Sequence, residues 1–387
     1  MHDVVVLSAC RTAIGTAFKG SLRNVPAADL SIPVVREAVK RSGAEGNSID
    51  DVILAESLYG GGVLARYTAL EVGLRGVPGL AVNRHCAGGL TAVTTAAANI
   101  GCGAADVIVA GGVQSSSTAP TLTEPLDRTV DWVSESHRPT SEAPAHDMSI
   151  TVGWNTARRM GISRSEMDAW ALRSHQRAVH AIESGQFKDE IVPLDVTQKD
   201  GSVAAFATDE HPRPDTSLER LSALRVLHPE IADFSITAGN SSGINDAAAA
   251  LVIAGADAAD RIGTRPLAAI RGWAAVGVEP EETGTGVIAA IRKALDRTGV
   301  SVNAVDIWEI NEAFASVPIA AVRELGLDES RVNPWGSGCS LGHPVAASGA
   351  RMLTTVSHEL FRRGSGIGVV AMCAGGGMAA AVVLTAV

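Results

Sequence analysis

A single cysteine, Cys86, lies where an apolar segment gives way to a run of small, helix-forming residues. Residues 81–83 predict a strand and residues 90–100 predict a helix. Two of the next three residues are glycines, so we expect a tight strand-to-helix turn with the thiol at the helix N-terminus. Free backbone N–H groups and the helix dipole stabilise a thiolate there, which predicts a lowered pKa and a nucleophile. A buried structural cysteine is the alternative interpretation.

Two glycine-rich segments near the C-terminus carry groups that can move protons. His343 precedes a proline within residues 336–349, at the start of a predicted helix, where an imidazole can act as a general base near neutral pH. Cys373 ends a predicted strand, 368–372, and is followed by Ala-Gly-Gly-Gly, whose N–H groups can stabilise an oxyanion. A hydrogen-bonding loop histidine and an ordinary glycine turn are the structural alternatives.

Asn311 opens the run Asn-Glu-Ala-Phe-Ala directly after a predicted strand, 306–310. Its amide can position a water or a carbonyl oxygen, although an isolated asparagine in such a place is more often a helix cap. Cys86, Cys339 and Cys373 lack close Cys or His partners at the spacing of zinc ligands, so we expect no metal site.

The elements that position these groups alternate between strand and helix. The first section predicts strands at 4–7, 51–56, 81–83 and 106–110, and helices at 28–42, 64–74 and 90–100. The last section predicts strands at 247–254, 267–270, 306–310 and 368–372, and helices at 283–297 and 346–362. Such alternation predicts parallel strand pairs with helices on the sheet faces.

The middle section, from Ser115 to about Asp233, is rich in Ser, Thr, Pro, His and charge. One helix is clear within it, at 164–184, where Ser163 and Glu166 have the spacing of a capping box. We therefore expect an inserted lobe of loops and not a further copy of the sheet.

The first and last sections repeat one plan. Val82 and Asn83 precede a Gly/Cys turn, a small-residue helix and a strand that ends in glycines, and Val332 and Asn333 precede the same sequence of elements. The repeat predicts a core with pseudo-twofold symmetry and two turns that face each other at the junction. Chance similarity between Ala/Gly-rich strands is the alternative.

Taken together, these segments resemble the thiolases, the acyl-CoA C-acyltransferases. The resemblance extends from Arg11-Thr-Ala-Ile-Gly15 to the final strand and includes the run from Thr237 to Asp246. It implies an α/β fold of layered αβαβα type, with two similar βα halves and an inserted loop lobe. The expected domains are an N-terminal half at 1–116 that continues at 246–262, a CoA-binding lobe at 117–245 and a C-terminal half at 263–387.

The resemblance also implies a reaction, the reversible Claisen condensation or thiolysis of 3-ketoacyl-CoA through an acyl-cysteine. Cys86 would be the nucleophile, and His343 would deprotonate it and form an oxyanion hole with a water held by Asn311. Cys373 would transfer the proton at the substrate carbon. The N–H groups of Cys86 and Gly375 would form the second oxyanion hole.

CoA is expected over the middle lobe as a substrate, with no metal or redox cofactor. By the same resemblance, Ser242 would lie near the pantetheine arm, Arg213 near the adenosine end, and Met148 on the wall of the acyl pocket.

The chain departs from the thiolase pattern at four places. The nucleophile turn usually reads Cys-x-Ser-Gly, whereas this chain has Gly88 at the serine position. Ala346 stands where glycine is usual, which we expect to narrow the pocket beside the histidine. Residues 148–155 replace the usual Met-Gly-x-Thr-Ala-Glu-Asn and introduce Trp154. The loop that often builds tetramers is not recognisable in residues 121–141.

Composition narrows the function classes. The formal net charge is −10 and no basic stripe is present, which disfavours nucleic acid as a partner. No apolar run reaches the ~18–20 residues of a membrane span, and the N-terminus does not resemble a signal peptide. We expect a cytoplasmic homodimer or homotetramer. A related Cys-dependent condensing enzyme or acyl hydrolase, and a weakly catalytic or non-catalytic thiolase-like subunit of an acyl-CoA complex, are the alternatives.

Overall fold

The structure, a computed structural model, describes residues 3–57, 63–124, 128–131, 136–197 and 200–387. Residues 125–127 and 132–135, within the segment 121–141 where no tetramer loop is recognisable from the sequence, therefore lie outside the described residues. The first section contains β1 (Val4–Thr12), β2 (Gly15–Thr16), α1 (Ala27–Ser42), β3 (Asp51–Ala55), α2 (Leu64–Glu71), β4 (Gly79–Val82), α3 (Gly88–Gly101) and β5 (Val107–Ser115).

The middle section is made of short elements around one long helix. It contains β6 (Thr121–Glu124), β7 (Arg128–Asp131), α4 (Asn155–Arg159), α5 (Arg164–Glu183), β8 (Ile191–Val192), β9 (Leu194–Thr197), β10 (Val203–Phe206) and α6 (Leu218–Ser222). The last section contains β11 (Asn245–Gly255), α7 (Ala256–Ile262), β12 (Ala268–Gly277), α8 (Gly286–Thr298), β13 (Ile307–Ile310), α9 (Ser316–Leu325), α10 (Gly338–Leu341), α11 (Ser348–Arg363), β14 (Ile367–Ala374) and β15 (Met378–Thr385).

The main sheet shows the predicted pseudo-twofold symmetry. Its strand order is β13-β14-β15-β12-β1-β11-β5-β3-β4. The two halves meet where β1 pairs antiparallel with β12, through Val5 with Ala269 and Val6 with Ala268. Outward from this junction each half has two antiparallel pairs followed by a parallel pair, β5 with β3 and β14 with β13. The first half has one further parallel pair, β3 with β4. The two similar βα halves are therefore confirmed.

Side-chain alternation along the strands separates the layers. Val4 and Val6 of β1 pack into a central core with residues of α3 and α11, whereas Val5 and Leu7 pack into an outer core with α1 and α2. A third core covers the opposite faces of β12 to β15 with α8 and α9. The order is helices, half-sheet, central helices, half-sheet, helices, which is the expected αβαβα layering. Among the described residues, the structure contains no helix long and apolar enough to cross a membrane.

The two central helices cross at their N-termini, and glycines make the crossing close. A Cβ atom on Gly89 would lie 2.7 Å from the backbone nitrogen of Ala350, and one on Gly349 would lie 2.5 Å from that of Leu90. Only glycine allows this approach. Because both helices begin here, the turn that carries Cys86 and the turn before α11 lie at the same end of the central layer.

The middle lobe contains the predicted long helix, together with short strands and helices that were not predicted. Ser163 and Glu166 form the predicted capping box at the start of α5. Strand β8 joins the main sheet beside the end of β1, so the lobe is not only loops. Buried Arg11 fixes this attachment, because its guanidinium contacts Glu190 at 2.6 Å and Asp209 at 2.7 Å.

Candidate active site

Cys86 lies in a turn whose backbone is held on both sides. The preceding residue, His85, has a left-handed φ of 44°, which is uncommon for a residue with a side chain. Its N–H donates to Asn83 Oδ1 at 2.8 Å, and its carbonyl accepts from Ser57 Oγ at 3.0 Å. Helix α3 is present as predicted, but it begins at Gly88, two residues before the predicted start at Leu90.

The predicted lowering of the Cys86 pKa is wrong. Burial raises the pKa of this thiol, and the backbone N–H groups of Gly375 and of Cys86 itself oppose the rise without cancelling it. Removal of the thiolate from water outweighs the donors at the helix start. The sulfur is therefore protonated at neutral pH and requires a base.

A second thiol lies beside the first. Cys373 is buried near the end of β14, and burial together with the Cys86 sulfur raises its pKa. The chain then turns through Gly375, whose N–H points to Cys86. A Cβ atom on Gly375 would lie 3.6 Å from Met148 Sδ and 3.9 Å from His85 Cγ, so these two side chains flank the turn.

His343 is a buried imidazole with a defined tautomer. Its Nδ1 lies 2.6 Å from Ser348 Oγ, and that hydroxyl donates to the carbonyl of Pro344 at 3.0 Å. The serine oxygen therefore accepts the proton on Nδ1, and Nε2 keeps its lone pair. Burial, with Arg351 adding to it, lowers the pKa of His343 to about 4. The ring is thus a neutral base at physiological pH.

Asn311 connects the histidine to the second thiol. Its Nδ2 lies 3.5 Å from His343 Nε2. Its backbone N–H donates to Ala371 at 3.0 Å, which fastens the end of β13 to β14 two residues before Cys373. The Oδ1 atom is buried and has no partner among the described residues, so it is free to hold a water.

Comparison with known proteins decides the family. The thiolase N-terminal domain family matches residues 4–257, and the thiolase C-terminal domain family matches residues 264–386. This chain belongs to the thiolase family. An acetyl-CoA acetyltransferase of Pseudomonas aeruginosa is 41% identical over 99% of this chain and 99% of its own length. A 3-ketoacyl-CoA thiolase of Bacillus subtilis is 38% identical over 98% of each chain.

Solved structures agree with this assignment. The crystal structure of the Bacillus anthracis acetyl-CoA acetyltransferase has a TM-score of 0.92 and 39% identity, covering 100% of this chain and 99% of that one. That of human mitochondrial 3-ketoacyl-CoA thiolase has a TM-score of 0.90 and 34% identity over 100% and 99%. The resemblance read from the sequence and the fold class are both confirmed.

The residues expected to contact CoA occupy two segments of this thiolase. Ser242 donates its N–H to Ala313 at 2.9 Å, in a run that continues to a backbone bridge between Ile244 and His343. Arg213 is exposed, and its N–H donates to His175 Nδ1 at 3.1 Å. The structure brings Ser242 alongside the histidine turn, whereas the Arg213 side chain stays in solvent.

Three positioning groups of the thiolase site were not predicted from the sequence. Ser348 sets the tautomer of His343, and Asn245 accepts the backbone N–H of His343 at 3.0 Å. Glu312 is buried, and its carboxylate accepts four hydrogen bonds that tie α5 and α10 to the end of β13; the donors are Trp170, Ser174, Asn333 and Cys339. Each of the three stands inside a segment that the sequence had singled out: Ser348 within residues 336–349, Glu312 directly after Asn311, and Asn245 directly before Asp246.

One departure from the thiolase pattern, Gly88, has a local explanation. A Cβ atom on Gly88 would lie 2.9 Å from Ala55 Cβ and 3.4 Å from Ser57 Oγ, so the space for a serine there is already filled. The carbonyl of Ala346 lies 3.0 Å from where a Cβ on Gly89 would be. The segment before α11 therefore packs tightly against the start of α3.

Proposed function

We propose that this thiolase catalyses the reversible Claisen condensation and thiolysis of 3-ketoacyl-CoA through an acyl group on Cys86. The observation that carries this proposal is the pairing of two thiols, Cys86 and Cys373, beside the N–H of Gly375. Acyl transfer and carbon-proton transfer are separate steps, and each needs its own group. The names of the relatives, acetyl-CoA acetyltransferase and 3-ketoacyl-CoA thiolase, support the same reaction.

In the first step the Cys86 sulfur attacks the thioester carbonyl of an acyl-CoA, and its proton passes to His343 Nε2. The N–H groups of Cys86 and Gly375 stabilise the tetrahedral oxyanion. The bond from the carbonyl carbon to the CoA sulfur then breaks, and the leaving CoA thiolate takes the proton from Cys373. Cys373 becomes a thiolate, and His343 keeps the proton that it took from Cys86. Because Cys86 and His343 are both neutral at rest, proton transfer accompanies attack and does not precede it.

In the second step Cys373 removes a proton from the α-carbon of an acetyl-CoA. The enolate oxygen is stabilised by His343 Nε2 in its protonated form and by a water on Asn311 Oδ1, whose lack of a protein partner supports this role. The carbanion attacks the acyl-Cys86 carbonyl, forms the new carbon–carbon bond and releases the Cys86 thiolate, which takes back its proton from His343. Cys373 keeps the proton that it removed from the α-carbon, so all three groups return to their resting states. Thiolysis runs the same steps in reverse.

CoA enters this scheme as a substrate, and the scheme uses no metal or redox cofactor. We place its pantetheine arm by Ser242, its adenosine end towards Arg213, and the acyl chain against Met148. The adjacency of Ser242 to the histidine turn supports the first placement, and the contact of Met148 with the Gly375 turn supports the last.

We further propose a cytoplasmic homodimer or homotetramer. Strand β4 is the end strand of the main sheet, and Leu80 on it is 40% exposed. Tyr67 and Leu70 of the adjacent α2 are also exposed, so edge and helix form one apolar surface that a second copy would cover. All five cysteines are unpaired thiols, which suits a reducing compartment.

The direct test is the thiolysis of acetoacetyl-CoA by CoA, which is measured as the loss of the enolate absorbance. Intact-protein mass spectrometry then detects an acyl group on the protein. Cys86→Ala should abolish the acyl group and lower the rate by at least about 10³-fold. Cys373→Ala should still be acylated but should not exchange the acetyl methyl protons with solvent.

Two of the alternatives have their own outcomes in this test. A hydrolase would release free acid from the acyl-enzyme without CoA. A non-catalytic subunit would form no acyl group on Cys86 with acetoacetyl-CoA or with longer 3-ketoacyl-CoAs. Normal proton exchange by Cys373→Ala would show that the role given to that thiol is wrong.

A further inference from the structure

His85 is an unpartnered imidazole next to the nucleophile. Its backbone is held by hydrogen bonds with Asn83 and Ser57, which fixes the position of its Cα beside the nucleophile. The ring is partly buried, and neither ring nitrogen has a hydrogen-bond partner among the described residues. The nitrogens of such a ring form hydrogen bonds either with water or with a bound ligand.

The ring lies on the wall against which we place the acyl chain. His85 Cγ and Met148 Sδ approach the same point, 3.9 Å and 3.6 Å from where a Cβ on Gly375 would be. The N–H of Gly375 points to the Cys86 sulfur, so an acyl group carried on that sulfur would lie beside this turn. The Gly375 turn is thus flanked on one side by the apolar methionine and on the other by an imidazole ring.

A second imidazole borders the same turn but is already satisfied. Ser136 packs against Gly376, where a Cβ would lie 2.7 Å from the serine Cβ. The adjacent His137 contacts Ser136 Oγ at 2.9 Å and the Ala143 carbonyl at 3.0 Å, so both of its nitrogens are engaged. Burial and this neighbour lower the pKa of His85, which leaves a neutral ring with one N–H donor and one acceptor.

An alkyl chain beside this turn would remove water from the His85 nitrogens without offering them a hydrogen-bond partner. A site that can hydrogen-bond a substrate group discriminates strongly against an analogue that lacks it, because its own polar atoms are left unpaired. An oxygen on the acyl chain would satisfy the ring.

We propose that His85 is a specificity-determining residue that hydrogen-bonds an oxygen group on the acyl chain. The enzyme then prefers 3-ketoacyl-CoA substrates whose chain ends in a carboxyl or hydroxyl group over those with a plain alkyl end. This inference rests on the thiolase activity proposed above.

The test compares three substrates of equal carbon number, 3-oxoadipyl-CoA, 6-hydroxy-3-oxohexanoyl-CoA and 3-oxohexanoyl-CoA. We expect kcat/KM for at least one oxygen-bearing substrate to exceed that for the alkyl substrate about tenfold or more. Which of the two is preferred identifies the oxygen group. His85→Phe removes the hydrogen bond and should bring the ratio to about one, whereas His85→Asn keeps a polar group that tolerates positive φ and should retain part of it.

His180→Phe, on the exposed face of α5, is the matched control and should leave the ratio unchanged. Thermal melting and acetylation of Cys86 confirm that each variant is folded and reactive. Thiolysis of all three substrates at equal kcat/KM, or a ratio that His85→Phe does not alter, would overturn this inference and leave the thiolase function intact. No turnover of any substrate would overturn the proposed function itself.

Discussion

The proton on His343 resides on Nδ1 because Ser348 accepts it, and Nε2, 3.5 Å from Asn311 Nδ2, therefore keeps the lone pair that acts as a base. The same serine is held by the carbonyl of Pro344, so the tautomer is set by the first turn of α11. At residue scale the proposed base therefore depends on a hydroxyl that never touches the substrate.

Ser348→Ala should lower kcat/KM for thiolysis about 10–100-fold, a part of the 10²–10⁴ that general acid–base catalysis contributes. Without the hydroxyl, the imidazole loses the acceptor that holds its proton on Nδ1. Because the serine does not contact CoA, KM should change much less than kcat. Ser348→Thr keeps the hydroxyl and should restore most of the rate, and loss of activity in both variants would contradict the tautomer argument.

The same histidine predicts how activity and stability depend on pH. With a pKa of about 4 the ring stays neutral as the pH falls from 8 to 5.5, so kcat/KM should show no acid limb from His343 in this range. An unfolded histidine has a pKa near 6.5. Because the pKa of His343 is lower in the folded state, this residue favours the folded state above pH 6.5, and the contribution is lost as the pH falls towards 4. Rate profiles and melting temperatures at pH 7.5 and 5.5 separate the two effects, and an acid limb near pH 6.5 that Ser348→Ala abolishes would contradict a buried neutral base.

At the scale of elements, the sequence pattern predicted the type and order of the helices and strands better than it predicted where each one begins and ends. The apolar run at 4–7 was predicted as a strand, yet β1 continues to Thr12 because its polar residues have buried partners. Ser8 donates to the Ala38 carbonyl of α1 at 2.6 Å, and Arg11 is paired with two carboxylates of the lobe. Those partners are distant in sequence, so no local pattern indicates them.

In the candidate site, too, the sequence predicted the features that depend on local motifs and missed those that depend on distant contacts. Motifs predicted that Cys86, Cys373 and His343 belong to one site, because each lies at a glycine-rich turn of the repeat. The Cys86 pKa was predicted in the wrong direction, since burial of the thiol depends on how the second half covers the turn. Ser348 and Asn245 act only through their contacts with His343, and a sequence does not reveal such contacts.

The start of α3 and the end of β3 provide a test of packing between elements. Gly88→Ser alone should destabilise the protein by about 1–3 kcal/mol, because the new Cβ meets Ala55 Cβ at 2.9 Å. Ala55→Gly removes that methyl, so the double variant should recover most of the loss. Denaturant unfolding of the two single variants and the double variant measures the coupling, and simple additivity would show that Ala55 does not fill the serine space.

At the scale of the whole molecule, the proposed site needs both halves. Cys86 comes from the first half, and His343, Asn311 and Cys373 come from the second. The close crossing of α3 and α11 at Gly89 and Gly349 brings the two sets to one end of the central layer. The pseudo-twofold repeat is therefore the device that assembles the site, since neither half contains a nucleophile with its base.

The end of the sheet makes a prediction for the assembled protein. Leu80 lies on β4, beside exposed Tyr67 of α2, and among the described strands β4 pairs only with β3. An apolar strand edge of this kind is stable in water when a second copy covers it. Light scattering should therefore give a mass of two or four chains, and Leu80→Arg should shift it towards one by placing a charge in the covered surface. Leu218→Arg, at a residue 46% exposed on the lobe, is the matched control and should not alter the mass. A wild-type monomer, or a Leu80→Arg protein of unchanged mass, would exclude this edge as the interface and leave the chemistry at Cys86 unaffected.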